Sequence, residues 1–377
     1  MRFAHFSDTH LGFRQYGIYE RELDFYRAFE RTVAKIIAER PDFVLHSGDL
    51  FDTPKPPPRA LWIAQRCFAK LSEHGIPVYA ITGNHDLLMR RGAMPPQVLY
   101  RDLNVRLLTE EEPFVVHKDV FIGGVPYRSR HYSDALREAL GMLSGKAKKY
   151  GRSILMMHQG TDRHLPRGFE IGMKDIPKNF SYYAMGHVHA RIVQDFGRGK
   201  FVYPGSTELW NVSELDDYGR KGKGFTLVDM HGDVPSVQNI TVPLEREILR
   251  ERIDTRRLES SVSKIRTKVS KMTKKPLLYL DIRDDSFERS ALHDALSSRL
   301  SQHVLSIRTS FTEAGDKGEK GTISRSLDLP QIDEIIREML KDPNHAALAS
   351  VIFRHLSEGN DEKAAEEADR FYRGMGR

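Results

Sequence analysis

Sulfur is almost absent from the reactive chemistry of this chain: among 377 residues there is a single cysteine, Cys67. One thiol cannot close an intrachain disulfide, which argues for a reducing compartment. Cys67 sits in the apolar helical stretch from Leu61 to Leu71, so it reads as a small core residue rather than a nucleophile. Long hydrophobic runs are missing too. No stretch reaches ~18 apolar residues, which excludes a membrane-spanning helix. The first residues pass straight into a strand-like segment, Arg2-Phe3-Ala4-His5-Phe6, with no charged-then-apolar leader ahead of it. A soluble, cytoplasmic protein is expected. Internal repeats and low-complexity tracts are also lacking.

What is present is a globular composition, 40% hydrophobic and 29% charged, with a formal net charge of +6. The excess of positive charge suits a polyanionic partner without identifying one. Residues 1–242 alternate between strand and helix patterns. Phe3–Asp8, Phe43–His46 and Ile76–Ile81 read as strands. Leu23–Arg40, which stops at Pro41, and Ala60–His74, which ends at Gly75, read as the helices between them. That order predicts helices packed on parallel strands. Five later strand-like pieces, Phe121–Val125, Ile154–His158, Tyr182–Met185, Phe201–Tyr203 and Gly224–Met230, are assigned to a second sheet. The expected fold is α/β, a two-sheet sandwich flanked by helices. A small α/β capping domain follows at 243–312, with strands at Leu277–Ile282 and Val304–Phe311 around a helix at Ser286–Leu300. Residues 313–326, rich in glycine and charge, read as a linker. Residues 327–377 read as a helical segment.

Five short motifs carry the chemistry: Asp8-Thr9-His10, Gly48-Asp49, Gly83-Asn84-His85-Asp86, His158, and Gly186-His187-Val188-His189. Each follows a predicted strand, at the edge where sites of α/β sheets assemble. Residues i and i+2 of a strand point the same way, so Asp8 and His10 aim at one place, and His187 and His189 at another. Gly48 and Gly83 allow tight turns that let backbone approach closely. Two carboxylates, an amide and three or four imidazoles suit manganese, iron or zinc better than magnesium. They are too many for one ion, whereas two ions sharing Asp49 would use them all. Paired ions are a common device for in-line attack at phosphorus. The remaining histidines, including His46, His117, His131, His231, His293, His303, His345 and His355, read as surface or satisfied buried residues.

This ordered set resembles the calcineurin-like metallophosphoesterase superfamily. Within it, His5-Phe6-Ser7-Asp8-Thr9-His10-Leu11-Gly12, Gly48-Asp49-Leu50-Phe51-Asp52 and Tyr203-Pro204-Gly205-Ser206-Thr207 are similar to the Mre/SbcD double-strand-break repair nucleases. The likeness covers about residues 1–230; beyond that it rests on layout. It implies that Asp8, His10, Asp49 and His189 hold one Mn²⁺, and that Asp49, Asn84, His158 and His187 hold a second. It implies that His85 faces the phosphate and assists the leaving oxygen. Asp52 stands where many relatives carry a second histidine, which bears on the balance of exonuclease and endonuclease activity. Asp52 and Asp86 are alternatively carboxylates that orient metal-bound histidines.

The resemblance makes the expected activity a 3′–5′ exonuclease and single-strand endonuclease acting at DNA double-strand breaks, in a nucleoid-associated prokaryotic setting. Residues 245–275 hold eleven Lys/Arg against five Asp/Glu. Within them Val262, Ile265, Val269 and Met272 give one apolar helix face and leave a basic remainder with Lys264, Lys268 and Lys271. This is either a solvated face or a track for phosphates. Arg14, Tyr16, Arg90 and Arg91 are further candidates for DNA contact. The apolar positions Ile332, Ile335, Ile336 and Met339, then Leu348, Val351 and Ile352 after the Asp342-Pro343 break, suggest amphipathic helices. The layout implies that they dock on an SMC-like coiled-coil ATPase of the Rad/SbcC type. A homodimer is implied through the Ala60–Leu71 helix, with Trp62, and the Met94–Leu99 segment. Two alternatives compete: a phosphatase or phosphodiesterase of the same superfamily, and a non-catalytic scaffold. Phe51-Asp52-Thr53 and Gly83-Asn84-His85-Asp86 depart from the Asp-Arg-Gly and Gly-Asn-His-Glu of the protein phosphatases. No ligand position is vacant, as a scaffold would tolerate.

Overall fold

The computed structural model describes all residues except 88–93, 233, 284–288, 313–335, 337–339, 341, 358–366 and 372–377. The described chain forms two compact units, Met1–Ala314 and Gly315–Arg377.

The first unit is built on two six-stranded sheets. Four parallel strands, β1 (Arg2–Phe6), β2 (Phe43–Ser47), β3 (Val78–Ile81) and β4 (Val105–Leu107), lie side by side in the first. The helices α1 (Tyr19–Glu39) and α2 (Pro58–Glu73) connect the first three. In the second sheet β5 (Phe114–His117), β6 (Val120–Val125), β7 (Arg152–His158), β8 (Tyr182–Gly186), β9 (Ile192–Phe196) and β10 (Gly199–Tyr203) run in the order 5-6-7-8-10-9. The helix α3 (Ser133–Ala147) joins β6 to β7. After a short helix α4 (Leu215–Lys221), the chain does not stay with this sheet. Strand β11 (Gly224–Asp229) returns to pair antiparallel with β1, and β12 (Ser236–Thr241) pairs with β11. Gly224–Met230 therefore belongs to the first sheet, contrary to expectation. Its apolar run fits a buried neighbour in either sheet, so pattern alone could not choose.

Period-two alternation sorts the strands into layers. Phe3, Phe43, Leu45, Tyr79 and Ile81 face inward against Ile122, Ile154, Met156, Tyr182 and Val202. Ala4, Phe6 and Val44 face the opposite way, onto Phe29, Val33, Phe68 and Leu71 of α1 and α2. Leu136, Leu140 and Leu143 of α3 cover Phe121, Leu155 and Met157 on the far side. Cys67 is buried on the core-facing side of α2, as its setting required. On the same helix and just beyond it, Trp62, Met94 and Leu99 remain exposed.

After residue 247 a small parallel sheet forms: β13 (Ile248–Asp254), β14 (Leu277–Arg283) and β15 (Ser306–Thr312), with helices α5 (Leu258–Val269) and α6 (Arg289–Leu300) as crossovers. Val262, Ile265 and Val269 pack into its core, and Met272 lies against it. Lys264, Lys268 and Lys271 are exposed, with Lys268 held 2.6 Å from Glu251.

In the second unit, Asp342 caps the helix Pro343–Ser357, accepting from the amides of Asn344 (2.8 Å) and His345 (3.1 Å). Leu348 and Ile352 are half-buried, Val351 is exposed and Ile336 is half-buried. Ile332, Ile335 and Met339 lie outside the described residues. Among the described residues, no helix is long and apolar enough to cross a membrane.

Candidate metal centre

Five strand ends meet at one edge of the sandwich. Parallel β1, β2 and β3 end at Phe6, Ser47 and Ile81, and β7 and β8 end at His158 and Gly186. The loops after β1 and β2 keep exchanging backbone bonds beyond the strands: Asp8 N to Gly48 O (3.1 Å), His10 N to Asp49 O (3.1 Å) and Leu11 N to Leu50 O (2.9 Å). This ladder fixes Asp8 and His10 against Asp49. Four residues of the edge, Asp8, His10, Asp49 and His187, have φ between 44° and 87°. Left-handed backbone at a non-glycine residue stores strain of order 1–3 kcal/mol, and such strain gathers at functional sites. Gly83 passes so near Asp49 that a Cβ there would lie 2.1 Å from its Oδ1, and a Cβ on Gly48 would lie 2.3 Å from His158 Nδ1. These glycines admit neighbouring site side chains rather than a ligand.

Side-chain donor atoms converge in two sets, Asp8–His10–His189 and Asp49–His158–His187, each with its atoms within 4.8 Å of one another. A third combination, His10–Asp52–His85, shares His10. The first two meet at Asp49, whose Oδ2 lies 3.2 Å from His158 Nε2 and 3.8 Å from His10 Nε2. Asn84 Oδ1 joins the second, 3.1 Å from His158 Nε2 and 3.0 Å from His187 Nδ1.

In two of these rings, His158 and His189, the opposite nitrogen has its own acceptor, which selects the one left for a ligand, and in His187 it faces a carboxylate beyond hydrogen-bond length. His158 donates from Nδ1 to the Ser47 carbonyl at 2.7 Å. His189 Nδ1 lies 3.1 Å from Glu214 Oε1, and His187 Nε2 lies 3.6 Å from Glu170 Oε1. Burial holds His10 well below its usual range and, with help from His158, pushes His187 down to about 3, so both are neutral donors. Burial also works against His158, but Asp49 and Asp8 outweigh it and raise it to about 10. Burial likewise opposes ionisation of Asp49, yet the charge on His158 keeps it ionised. His10 Nε2 and His189 Nε2 stand 3.2 Å apart, and His10 Nδ1 is buried without a hydrogen bond. Two imidazole lone pairs at that separation need a proton or cation between them. Mixed nitrogen and oxygen donors around a shared carboxylate fit divalent transition ions.

His85 belongs to neither of the first two sets. Its Nδ1 donates to the Asp52 carbonyl at 2.8 Å, and its backbone amide to Asp49 Oδ1 at 2.9 Å. A carbonyl only accepts, so the proton sits on Nδ1 and Nε2 is the nitrogen left for chemistry. Asp52 lies 3.5 Å from His10 Nδ1 and 3.9 Å from His85 Nδ1, and burial raises its carboxyl to about 6. Asp86 departs from its expected role. Its carboxylate takes the amides of Leu50 (3.3 Å), Phe51 (3.0 Å) and Gly83 (3.0 Å), clamping two loops together instead of orienting an imidazole.

Other candidates are engaged inside the chain. Arg14 pairs with Glu22 at 2.7 Å. The Tyr16 hydroxyl bonds that of Tyr279 at 2.5 Å, with Arg308 4.0 Å above its ring. Arg90 and Arg91 lie outside the described residues. His46 is buried, as one reading of it required, but neither of its ring nitrogens is satisfied, and burial drives it to about 3. Glu170, Tyr127, Trp210, Glu214 and Lys223 are residues of the site that sequence reasoning missed. Tyr127 lies 5.8 Å from the His187 ring and 3.5 Å from Glu170. Lys223 binds Glu214, the His189 carbonyl (2.9 Å) and Ser206 Oγ (2.6 Å). The one available signal was Asn211-x-x-Glu214, a capping box that the structure contains.

Residues 1–191 match the calcineurin-like phosphoesterase family. Three similar chains bear the name DNA double-strand break repair protein Mre11. That of Methanococcus maripaludis is 35% identical, covering 91% of each chain. That of Methanocaldococcus jannaschii is 40% identical over 70% of this chain and 73% of its own. That of Sulfolobus acidocaldarius is 30% identical over 100% and 99%. A strained strand-end cluster of this composition, together with likeness running nearly end to end, leaves one conclusion: the chain belongs to the calcineurin-like phosphoesterases, in the family of the Mre11 repair proteins.

Proposed function

We propose that this chain is a manganese-dependent DNA nuclease of double-strand-break repair. It would act as a 3′–5′ exonuclease and single-strand endonuclease through two divalent ions. The observation that carries the reading is Asp49, whose one carboxylate oxygen lies against a histidine of each donor set. Asp8, His10, His189 and Asp49 would hold one ion, and Asp49, Asn84, His158 and His187 the other. When bound, such a pair supplies Lewis acidity and neutralises charge growing on a phosphodiester in line with the leaving oxygen. The side chains do the rest. Asp49 sets the spacing of the two sets. The Ser47 carbonyl and Glu214 keep Nε2 of His158 and His189 turned inward. His85, its Nδ1 proton fixed on a carbonyl, leaves Nε2 facing outward, so that a ring first protonated at Nε2 would hand that proton to the departing oxygen and return to the neutral Nδ1–H form.

DNA would be held mainly through its backbone by exposed cations such as Lys264, Lys268 and Lys271. The helix Pro343–Ser357 would dock on an SMC-like coiled-coil ATPase, and exposed Trp62, Met94 and Leu99 would meet a second copy. The names of the relatives and their coverage support the role in double-strand-break repair. The deciding experiment incubates chelator-stripped protein with Mn²⁺, on 3′- and 5′-labelled duplex, on single-stranded DNA and on p-nitrophenyl phosphate. Metal-dependent shortening of DNA well above phosphatase turnover is expected. Intact DNA beside rapid p-nitrophenyl phosphate hydrolysis would return the chain to the phosphatases.

A further inference from the structure

One aromatic side chain touches the centre from a segment the ligand motifs do not include. Trp210 follows β10, and its half-buried indole lies 4.0 Å from the His10 ring, 5.1 Å from His85 and 5.4 Å from His189, between ring centroids. These three imidazoles arrive on three separate loops, after β1, β3 and β8. Phe13 stacks on the indole at 4.4 Å, 26° from parallel, and is itself set edge-on to Phe25 at 5.3 Å.

The backbone around Trp210 is fastened on both sides. Before it, the buried Arg21 guanidinium holds the Leu209 carbonyl (3.1 Å) and Glu208 (3.2 Å), and Gln15 donates to the carbonyl of Trp210 itself. After it, the Asn211–Glu214 capping box closes the turn, and Glu214 reaches on to His189. A bulky, uncharged ring on a backbone pinned in this way offers no metal-ligating atom, but its packing bears on where its neighbours stand.

We propose that Trp210 is a positioning residue of the metal centre. Its indole wedges His10, His85 and His189 into their mutual placement, and it is the chain's own optical reporter of that donor set. The proposal rests on the metal reading above. Stacking of a DNA base on this ring is the less favoured role, because Phe13 already stacks on it and His10 and His85 already lie nearly perpendicular to it. The physical expectation follows from truncation. Alanine leaves a void beside three rings, and imidazoles free to turn hold a cation less well. Phenylalanine restores most of the wedge.

The chain has two tryptophans, so Trp62→Phe leaves Trp210 as the only indole. Stripped W62F protein is titrated with Zn²⁺ and with Mn²⁺ while emission is followed, and bound ions are counted by elemental analysis. Emission should change in step with the ion that the Asp8–His10–His189 set takes up. Two bound ions with unmoved emission overturn the proposal alone. No bound ion at saturating Mn²⁺ overturns the metal reading and the proposal with it. In parallel, Trp210→Ala should raise the Mn²⁺ concentration for half-maximal DNA cleavage by about tenfold or more, while Trp210→Phe stays within about threefold of the parent. An alanine variant with the parent's Mn²⁺ dependence would overturn the wedge. If that variant does not fold, the W62F titration decides.

Discussion

The Asp49 carboxylate lies against a histidine of each donor set, but the two sets are braced differently. In the Asp49–His158–His187 set, the imidazole of His158 is fully buried, and its outer nitrogen is held by the Ser47 carbonyl, a backbone group at a strand end. In the Asp8–His10–His189 set, the outer nitrogens look onto side chains: Glu214 for His189, and Asp52 for His10. Trp210 packs against both rings. A brace made of sheet backbone cannot be altered without altering the fold. A brace made of side chains can be replaced one residue at a time. Only the His158 side of the second set is braced by backbone, since His187 faces the Glu170 side chain across 3.6 Å, so that side should be nearly fixed and the first set should be the more adjustable half of the centre.

The largest expected effect removes what the halves have in common. Asp49→Ala should empty both sets and lower DNA cleavage by roughly 10³-fold or more, since each tenfold corresponds to about 1.4 kcal/mol of lost transition-state stabilisation. Elemental analysis after manganese loading and dialysis provides the check. One full equivalent of ion retained in this variant would mean the sets are independent, and the comparison would fail at its root.

His85→Ala should come next. His85 lies outside both of these sets, so the variant should keep the parent's ion content while cleavage falls by about 10²–10⁴-fold, the usual weight of a proton-transfer group. A variant that cuts at the normal rate removes His85 from the mechanism. One that loses an ion would show instead that the His10–Asp52–His85 combination is a third seat.

What could be read from sequence divides along the same line. The residues of the two donor sets were legible because each motif is a few contiguous residues at the end of an apolar run, and strand ends are where sheets gather function. The helices α1, α2 and α5 were legible through spacing that the core uses, as at Val262, Ile265 and Val269. Strands β4, β5, β9, β12 and β13 went unread. β4 is three residues long, and only one residue of β12, Ile240, is buried, so periodicity had little to act on. The braces were invisible for a deeper reason. Glu214 lies 25 residues from His189 in sequence and Trp210 lies 200 from His10, and nothing local in a tryptophan or a glutamate says which ring it will meet. Asp86 shows the reverse error. Its place beside His85 suggested an imidazole partner, but three amides from two loops reach it first.

The Glu214 brace sharpens the comparison further. Glu214→Ala frees the Nδ1 edge of His189 and leaves the buried Lys223 without its carboxylate, held only by the His189 carbonyl and Ser206 Oγ. Loss of a carboxylate behind a metal-binding histidine typically costs about 10–100-fold in ion affinity. The loss should fall on one ion only. Calorimetric manganese titration resolves the two affinities. Equal weakening of both would dissolve the distinction between an adjustable and a fixed half.

The smallest effect is on stability, and its sign is set by the same carboxylate. Burial opposes ionisation of Glu214, but Lys223 and His189 outweigh it and bring it down to about 2. A carboxylate depressed in the folded state stabilises the fold above its unfolded pKa, near 4.3, and loses that contribution as pH falls toward 2. A displacement of about two units corresponds to roughly 3 kcal/mol at most, and at about 2–4 °C per kcal/mol to no more than about 6–12 °C in melting temperature. Glu214→Gln should therefore melt below the parent at pH 7 in the absence of metal, and the gap should begin to close below about pH 4.5. Melting curves of both stripped proteins between pH 7 and pH 3 measure it. A gap that stays constant or widens on acidification would mean that the Glu214 charge contributes nothing, and the first set would owe its shape to packing around Trp210 alone.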